Sequence, residues 1–252
     1  DILVNAPDGD ESWAVESSHS INWTPTGNYT GNVSIEFSDD GVGNWTEIGT
    51  KAAGAHNVQQ SWTWNSVWDN ITSAAKVRIT TNTTNSSISV NDTSNTSFKV
   101  IGAILVTKPN GNETWYVGEN QTVEWYSTGT VTPVNISYSL NNGSSWTVLN
   151  NTFAGLEGDN VYNWTNLPDV RNTTCLVRVS DNRSAFSEEV NDTSDWAFTI
   201  RPSITVAKPS SSQNVIAHSD NTLINWTYTG TKIQTVDIRY STDGGETWNP
   251  TP

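Results

Sequence analysis

The chain has no methionine and one cysteine, Cys175. One thiol excludes a fold stapled by intrachain disulfides. Cys175 lies in the apolar run T-C-L-V-R-V, where a small core residue is the expected reading and an interchain disulfide the alternative. With no Met and no signal peptide, the chain reads as a mature or internal segment of a longer product. Basic residues are scarce: 12 Lys+Arg stand against 26 Asp+Glu, a net charge of -14. That balance argues against nucleic acid, whose phosphates need a basic face, and against an anionic membrane surface. No apolar run approaches the roughly 20 residues a membrane-spanning helix needs. His19, His56 and His218 are isolated, with no Cys/His cluster and no H-E-x-x-H, so no zinc site is expected. G-x-S-x-G and P-loop motifs are also missing. The expectation is a protein that is not an enzyme, with no catalytic residue, cofactor or metal. Asp8-Gly9-Asp10-Glu11 has oxygens to offer Ca²⁺, but the aligned Asn110-Gly111-Asn112-Glu113 loses two charges, so a turn is the better reading.

What the chain does have is a repeat of about 100 residues. The stretch 104–146 has an upstream copy carried by Ile2, Pro7, Gly9, Glu11, Trp13, Val15, Ile21, Trp23, Val33, Ile35 and Phe37. Ile204, Val206, Pro209, Ile224, Trp226, Val236, Ile238, Tyr240 and Trp248 carry a downstream one. Second halves match as well: Trp64, Val77-Arg78-Ile79, Val90-Asn91-Asp92-Thr93-Ser94 and Phe98 recur 100 positions later as Trp164, Val177-Arg178-Val179, Val190-Asn191-Asp192-Thr193-Ser194 and Phe198. The expected division is 1–102, 103–202 and 203–252, the last being the first half of a third module, either truncated or completed by another subunit. A module of this length can bury its own core.

Val33, Ile35 and Phe37 alternate with Ser34 and Glu36, the mark of a half-buried strand. Asp39-Asp40-Gly41 turns the chain, and Thr80 to Ser87 reads as a polar loop. Seven or so short strands per module, with no helical apolar stripe of useful length, predict an all-β fold of tandem immunoglobulin-like antiparallel β-sandwiches. Matched tryptophans predict an indole-rich core: Trp13/Trp115, Trp23/Trp125/Trp226 and Trp45/Trp146/Trp248. Trp68, without a counterpart, is the candidate for an exposed sugar-binding ring. The junctions, Phe98-Lys99-Val100-Ile101-Gly102-Ala103-Ile104 and Ile200-Arg201-Pro202-Ser203-Ile204, are too short for flexible linkers and predict a stiff rod.

N-x-[ST] sequons fall at Asn22, Asn28, Asn32, Asn44, Asn70, Asn82, Asn85, Asn91, Asn95, Asn112, Asn120, Asn135, Asn142, Asn150, Asn163, Asn172, Asn182, Asn191 and Asn225. These 19 exceed the roughly 8 that the Asn, Ser and Thr content gives by chance. Strand phase is an independent test. Asn22, Asn32, Asn135, Asn163 and Asn225 each neighbour inward apolar residues and so point outward. A secreted, densely N-glycosylated protein is expected, its sugar replacing charge as the solubilising layer.

The frame P-x-G-x-E-x-W-x-V-G, then I/V-x-W, G and V-x-I-x-Y/F-S, resembles the immunoglobulin-like domain of fungal Ser/Thr-rich, GPI-anchored cell-wall proteins and related repeats of prokaryotic surface proteins. Pro109, Gly111, Glu113, Trp115, Val117, Gly118 and Trp125 match it best. The third copy departs at Ser211 and Ser212, and Val215 or Ile216 replaces its Trp. This resemblance implies a cell-surface structural module without catalytic residues. Ser241-Thr242-Asp243-Gly244-Gly245-Glu246-Thr247-Trp248 looks like the Asp-box hairpin of sialidases and other β-propellers, with degraded copies at 38–45 and 139–146. Propeller blades repeat every 40–50 residues, half the spacing here. Together these features suggest an extracellular filament, stalk, sheath or surface layer, extended by self-association or by a longer repeat chain. A cell-surface adhesin or carbohydrate-binding protein is the alternative.

Overall fold

The structure, a computed structural model, describes residues 1–27, 29–82, 89–210 and 223–250. The acceptors Asn28 and Asn85, the side chain of Asn82, His218, and the 211–216 departure from the repeat lie outside the described residues.

Nine strands build the first unit: β1 (Ile2–Ala6), β2 (Ser12–Ala14), β3 (His19–Pro25), β4 (Asn32–Ser38), β5 (Thr46–Ala52), β6 (Gln60–Trp64), β7 (Thr72–Asn82), β8 (Asn91–Thr93) and β9 (Phe98–Ile101). One sheet has the order β1-β3-β6, the other β2-β9-β7-β4-β5, with β8 on the far part of β7. Alternation puts Ile21, Trp23, Val33, Ile35, Phe37, Val77, Ile79, Phe98 and Val100 in the space between them. A second unit repeats the plan with β10 (Ala103–Lys108), β11 (Thr114–Tyr116), β12 (Gln121–Thr128), β13 (Val134–Ser139), β14 (Thr147–Phe153), β15 (Gly158–Trp164), β16 (Asn172–Asp181), β17 (Asn191–Thr193) and β18 (Phe198–Arg201). Its sheets run β10-β12-β15 and β11-β18-β16-β13-β14. No helix occurs among the described residues. The fold is all-β, built of immunoglobulin-like sandwiches.

Farther on, β19 (Ser203–Lys208) and β20 (Asn225–Thr229) form an antiparallel hairpin whose register irregularity, between Val206 and Lys208, matches that between Val106 and Lys108. Two short strands, β21 (Arg239–Tyr240) and β22 (Asn249–Pro250), pair beyond it. Trp23 is 0% and Trp125 1% exposed, whereas the equivalent Trp226 is 36% exposed.

Side-chain contacts explain why residues 90–94 recur. On the free edge of β1, the amide of Val4 donates to Asp92 Oδ2 at 2.7 Å, and Val106 does the same to Asp192 at 2.7 Å. The carboxylate on one sheet thereby satisfies an edge amide of the other. Ser94 Oγ accepts from Val77 N–H at 3.1 Å, and Ser194 from Val177 at 3.0 Å, both buried.

Three expectations need correction. The sandwich is not wholly antiparallel: the chain crosses between sheets after the first strand, and β2 runs parallel to β9, as β11 does to β18. The loop expected from Thr80 begins later, because Thr80 and Thr81 still pair with Ser34 and Val33. Trp45 and Trp146 are not core residues. Arg78 faces outward between Val77 and Ile79, and its guanidinium carbon sits 4.3 Å from the Trp45 ring centroid; Arg178 lies 4.5 Å from that of Trp146. Both indoles cover the outer face, and Trp248 is exposed. Trp13, Trp23, Trp64, Trp115, Trp125 and Trp164 are buried. Cys175 is a core residue, fully buried, and desolvation pushes its thiol up to about 11.

Core and outer-face indoles are expected to differ sharply in denaturant titrations. Trp23→Ala should cost about 3–5 kcal/mol as a large cavity. Trp45→Ala should cost about 0.5–1 kcal/mol, the value of an exposed cation–π contact. Equal losses would contradict the assignment of the two faces.

Candidate functional site

Two surfaces carry the functional question: the junctions between units and the faces that hold the acceptor asparagines. At the first junction, the Asp69 carboxylate takes Thr130 N–H at 2.9 Å and Thr130 Oγ1–H at 2.6 Å. One repeat later, Asp169 takes Thr231 N–H at 2.9 Å and Thr231 Oγ1–H at 2.6 Å. Each threonine follows a glycine with positive φ, Gly129 at 77° and Gly230 at 79°. A Cβ on these glycines would lie 3.0 Å from Asp69 Oδ1 and 2.7 Å from Asp169 Oδ1. Glycine is therefore required twice over, by backbone conformation and by the close carboxylate.

The first junction has further ties. Ile71 packs against both hydrophobic cores. Lys99 pairs with Glu189 and reaches the Ala185 carbonyl, and Ser12 Oγ donates to Glu189 at 3.0 Å. Thr231 hydrogen bonds hold the Asp169 carboxyl below its ordinary range, helped by the charge of Lys232.

Among the acceptors, Asn32, Asn44, Asn91, Asn95, Asn112, Asn120, Asn142, Asn163, Asn182, Asn191 and Asn225 are exposed. Asn22, Asn70, Asn135, Asn150 and Asn172 are half-buried. Asn172 Nδ2, the atom an N-glycan would occupy, donates to the Leu140 carbonyl at 2.7 Å, while Asn172 Oδ1 accepts from Thr174. Asn135 Oδ1 is enclosed, with no hydrogen-bond partner among the described residues. Outward strand phase thus leaves Asn32 and Asn163 open but Asn22 and Asn135 partly covered.

Other sequence candidates resolve into local structure. Glu11 accepts the amides of Asp8 and Gly9 at 3.0 and 2.8 Å, and Asp8 accepts Asn95 N–H at 2.7 Å. The oxygens considered for Ca²⁺ hold a turn instead, and Glu113 repeats the arrangement on Asn110 and Gly111. No cluster of three metal-ligating side chains occurs among the described residues. In the box-like turns, Ser38 donates to Asp40 at 2.7 Å, Ser139 to Asn141 at 2.9 Å and Ser241 to Asp243 at 2.6 Å. Amides of Gly43 and Val42, with Ser38, bring Asp40 down to about 2. Trp68 is 41% exposed, its ring edge-on to Phe37 and Trp64. Trp196, at 72%, is the more open indole. Sequence reasoning passed over Trp196, although Thr96 at the matching position marks it as unrepeated.

No family model matches the chain, and no curated protein does. Among solved structures, it is similar to the fibronectin(III)-like modules of Clostridium thermocellum CbhA at 13% identity, covering 80% of this chain and 94% of that one with a TM-score of 0.28. A fragment of the ICAM-5 ectodomain, D1-D4, is similar at 10% identity over 83% of this chain and 56% of that one, TM-score 0.38. DIP-gamma IG1+IG2 is similar at 9% identity over 80% and 98%, TM-score 0.31. The fold assignment stands on strand order and buried faces.

A lowered pKa means that the Asp169 clasp is complete above the ordinary carboxylate pKa and is lost as pH falls through the lower folded value. In an NMR titration, the Thr231 amide should report a midpoint below the usual ~3.9. Thr231→Ala, followed through the Asp169 carboxyl carbon, should move the midpoint up. An unchanged midpoint would remove the clasp from the account.

Proposed function

We propose that this chain is a rod-like, heavily N-glycosylated structural part of an extracellular filament, stalk, sheath or surface layer. Its units are 1–102, 103–202 and a third beginning at 203. The observation that carries the reading is the repeated clasp. Asp69–Thr130 and Asp169–Thr231 use the same atoms at nearly the same distances, one repeat apart. A flexible string of beads needs no such contact, whereas a rod must define each angle.

Sugar on the exposed asparagines would solubilise a chain in which only 15% of residues are charged and hinder lateral association. The apolar face of the third unit, with Trp226, Val206 and Tyr228 uncovered, calls for a covering sheet from further chain or from another subunit. Intact-mass analysis of dissociated native material separates the two.

The adhesin reading has one observation in its favour, the open Trp196 indole. Imaging and a glycan array distinguish the roles: regular unbranched fibres support the structural role, and a specific array signal lost in Trp196→Ala supports the adhesin.

Site-resolved glycopeptide analysis of native material tests the coat. Occupancy should be high at exposed Asn32, Asn91, Asn112, Asn163 and Asn182 and low at Asn172, whose amide nitrogen is engaged. Fewer than a handful of occupied sites would end the surface-coat idea.

A further inference from the structure

The junctions share a clasp but differ in what lies beside it. At the first, Ile71 touches both cores, Ile101 packs against the second core, and Val131 is buried. One repeat on, Ile71 and Ile101 become Arg171 and Arg201. Counting from the glycine-threonine pair, Val131 becomes Lys232. Three apolar side chains have become three cations, in a chain with only 12 Lys+Arg and a net charge of -14.

Those cations line one open pocket of about 540 Å³ together with Pro202, Ile204 and Gln234. The described lining holds no carboxylate. The neighbouring acid is Asp169, whose two oxygens already receive Thr231 N–H and O–H. Arg201 is steadied by Tyr116, with Nη2 3.4 Å from the phenol oxygen and its guanidinium carbon 5.5 Å from the ring centroid. That contact uses one of its five donors. Arg171 and Lys232 make no hydrogen bond or ion pair among the described residues. All three cations are exposed, and Asp169 offsets part of the charge of Lys232, so the unbalanced charge of the group rests on the two arginines. Two guanidinium forks and one ammonium suit a tetrahedral oxyanion: the forks bind bidentately and the ammonium acts as a point charge.

We propose that the junction between the second and third units binds a sulfate or phosphate group, free or carried as an ester on a small sugar. Arg171, Arg201 and Lys232 are its ligands. The inference is independent of the filament and glycan-coat readings, because it needs only this cavity and these charges.

The test is an NMR titration of the full chain at constant ionic strength with four probes: inorganic sulfate, inorganic phosphate, glucose 6-sulfate and glucose 6-phosphate, with chloride as the control. Saturable shifts at the Arg171 and Arg201 side-chain NH groups and the Thr231 amide are expected with oxyanions and not with chloride. Tighter binding of the esters identifies a sugar ester as the ligand, and equal binding identifies the free anion. The triple variant Arg171→Ile, Arg201→Ile, Lys232→Val restores the residues of the first junction, which that junction shows to be compatible with folding. It should keep its near-UV spectrum and lose roughly 100-fold in affinity, as expected when several charge-assisted bonds vanish. Single Arg171→Ala and Arg201→Ala variants, each weakening binding, provide a second check. Chloride-like behaviour of all four probes, or undiminished affinity in a folded triple variant, would overturn the proposal.

Discussion

Strands with alternating burial give each sheet one apolar face, and water tolerates that face only when a second sheet lies against it. Everything else in the first two units serves that pairing. Trp23, Trp125, Phe98 and Phe198 are the largest of the fully buried side chains. Asp92 and Asp192 then tie an edge amide of one sheet to the other sheet, so the two layers are held by directional bonds as well as by area. The β19–β20 hairpin shows the same constraint from the other side. Its register forms with no facing sheet among the described residues, and its indole is 36% exposed where Trp23 and Trp125 are buried.

Much of this was readable from residues alone. Period-two alternation in 33–37 and 134–138 announces half-buried strands, and the 100-residue echo announces copies of one fold. What escaped depends on partners far away in the chain. Trp45 looks like a core residue until Arg78, on β7 across β4 from β5, is seen to face outward and lie over its ring. The parallel β2–β9 pair needs a change of sheet between Ala6 and Ser12, which leaves no local mark beyond a turn signal. Asp69 and Thr130 are ordinary loop residues, and only their recurrence as Asp169 and Thr231 hints that they form a pair. Asn172 satisfies the sequon pattern perfectly well, yet its amide nitrogen is already bound to Leu140. A three-residue motif carries no information about such a distant carbonyl.

The acceptor faces and the junctions are complementary parts of one arrangement. Among the exposed acceptors, Asn32, Asn91, Asn163, Asn191 and Asn225 lie on strands and the others in turns and loops, while the ends of the units carry the clasps. Asp69, Thr130, Asp169 and Thr231 are not themselves acceptors, although the acceptor Asn70 stands next to Asp69.

Ile71 belongs to two cores at once, and that has a mechanical consequence. Pulling the first pair of units apart must open both interiors to solvent together, so resistance to a stretching force there is shared between them. The second pair has charged arginine where the first has isoleucine. Among the described residues, that position has no side chain shared between two cores, so separating the second pair exposes less apolar surface at its junction than separating the first.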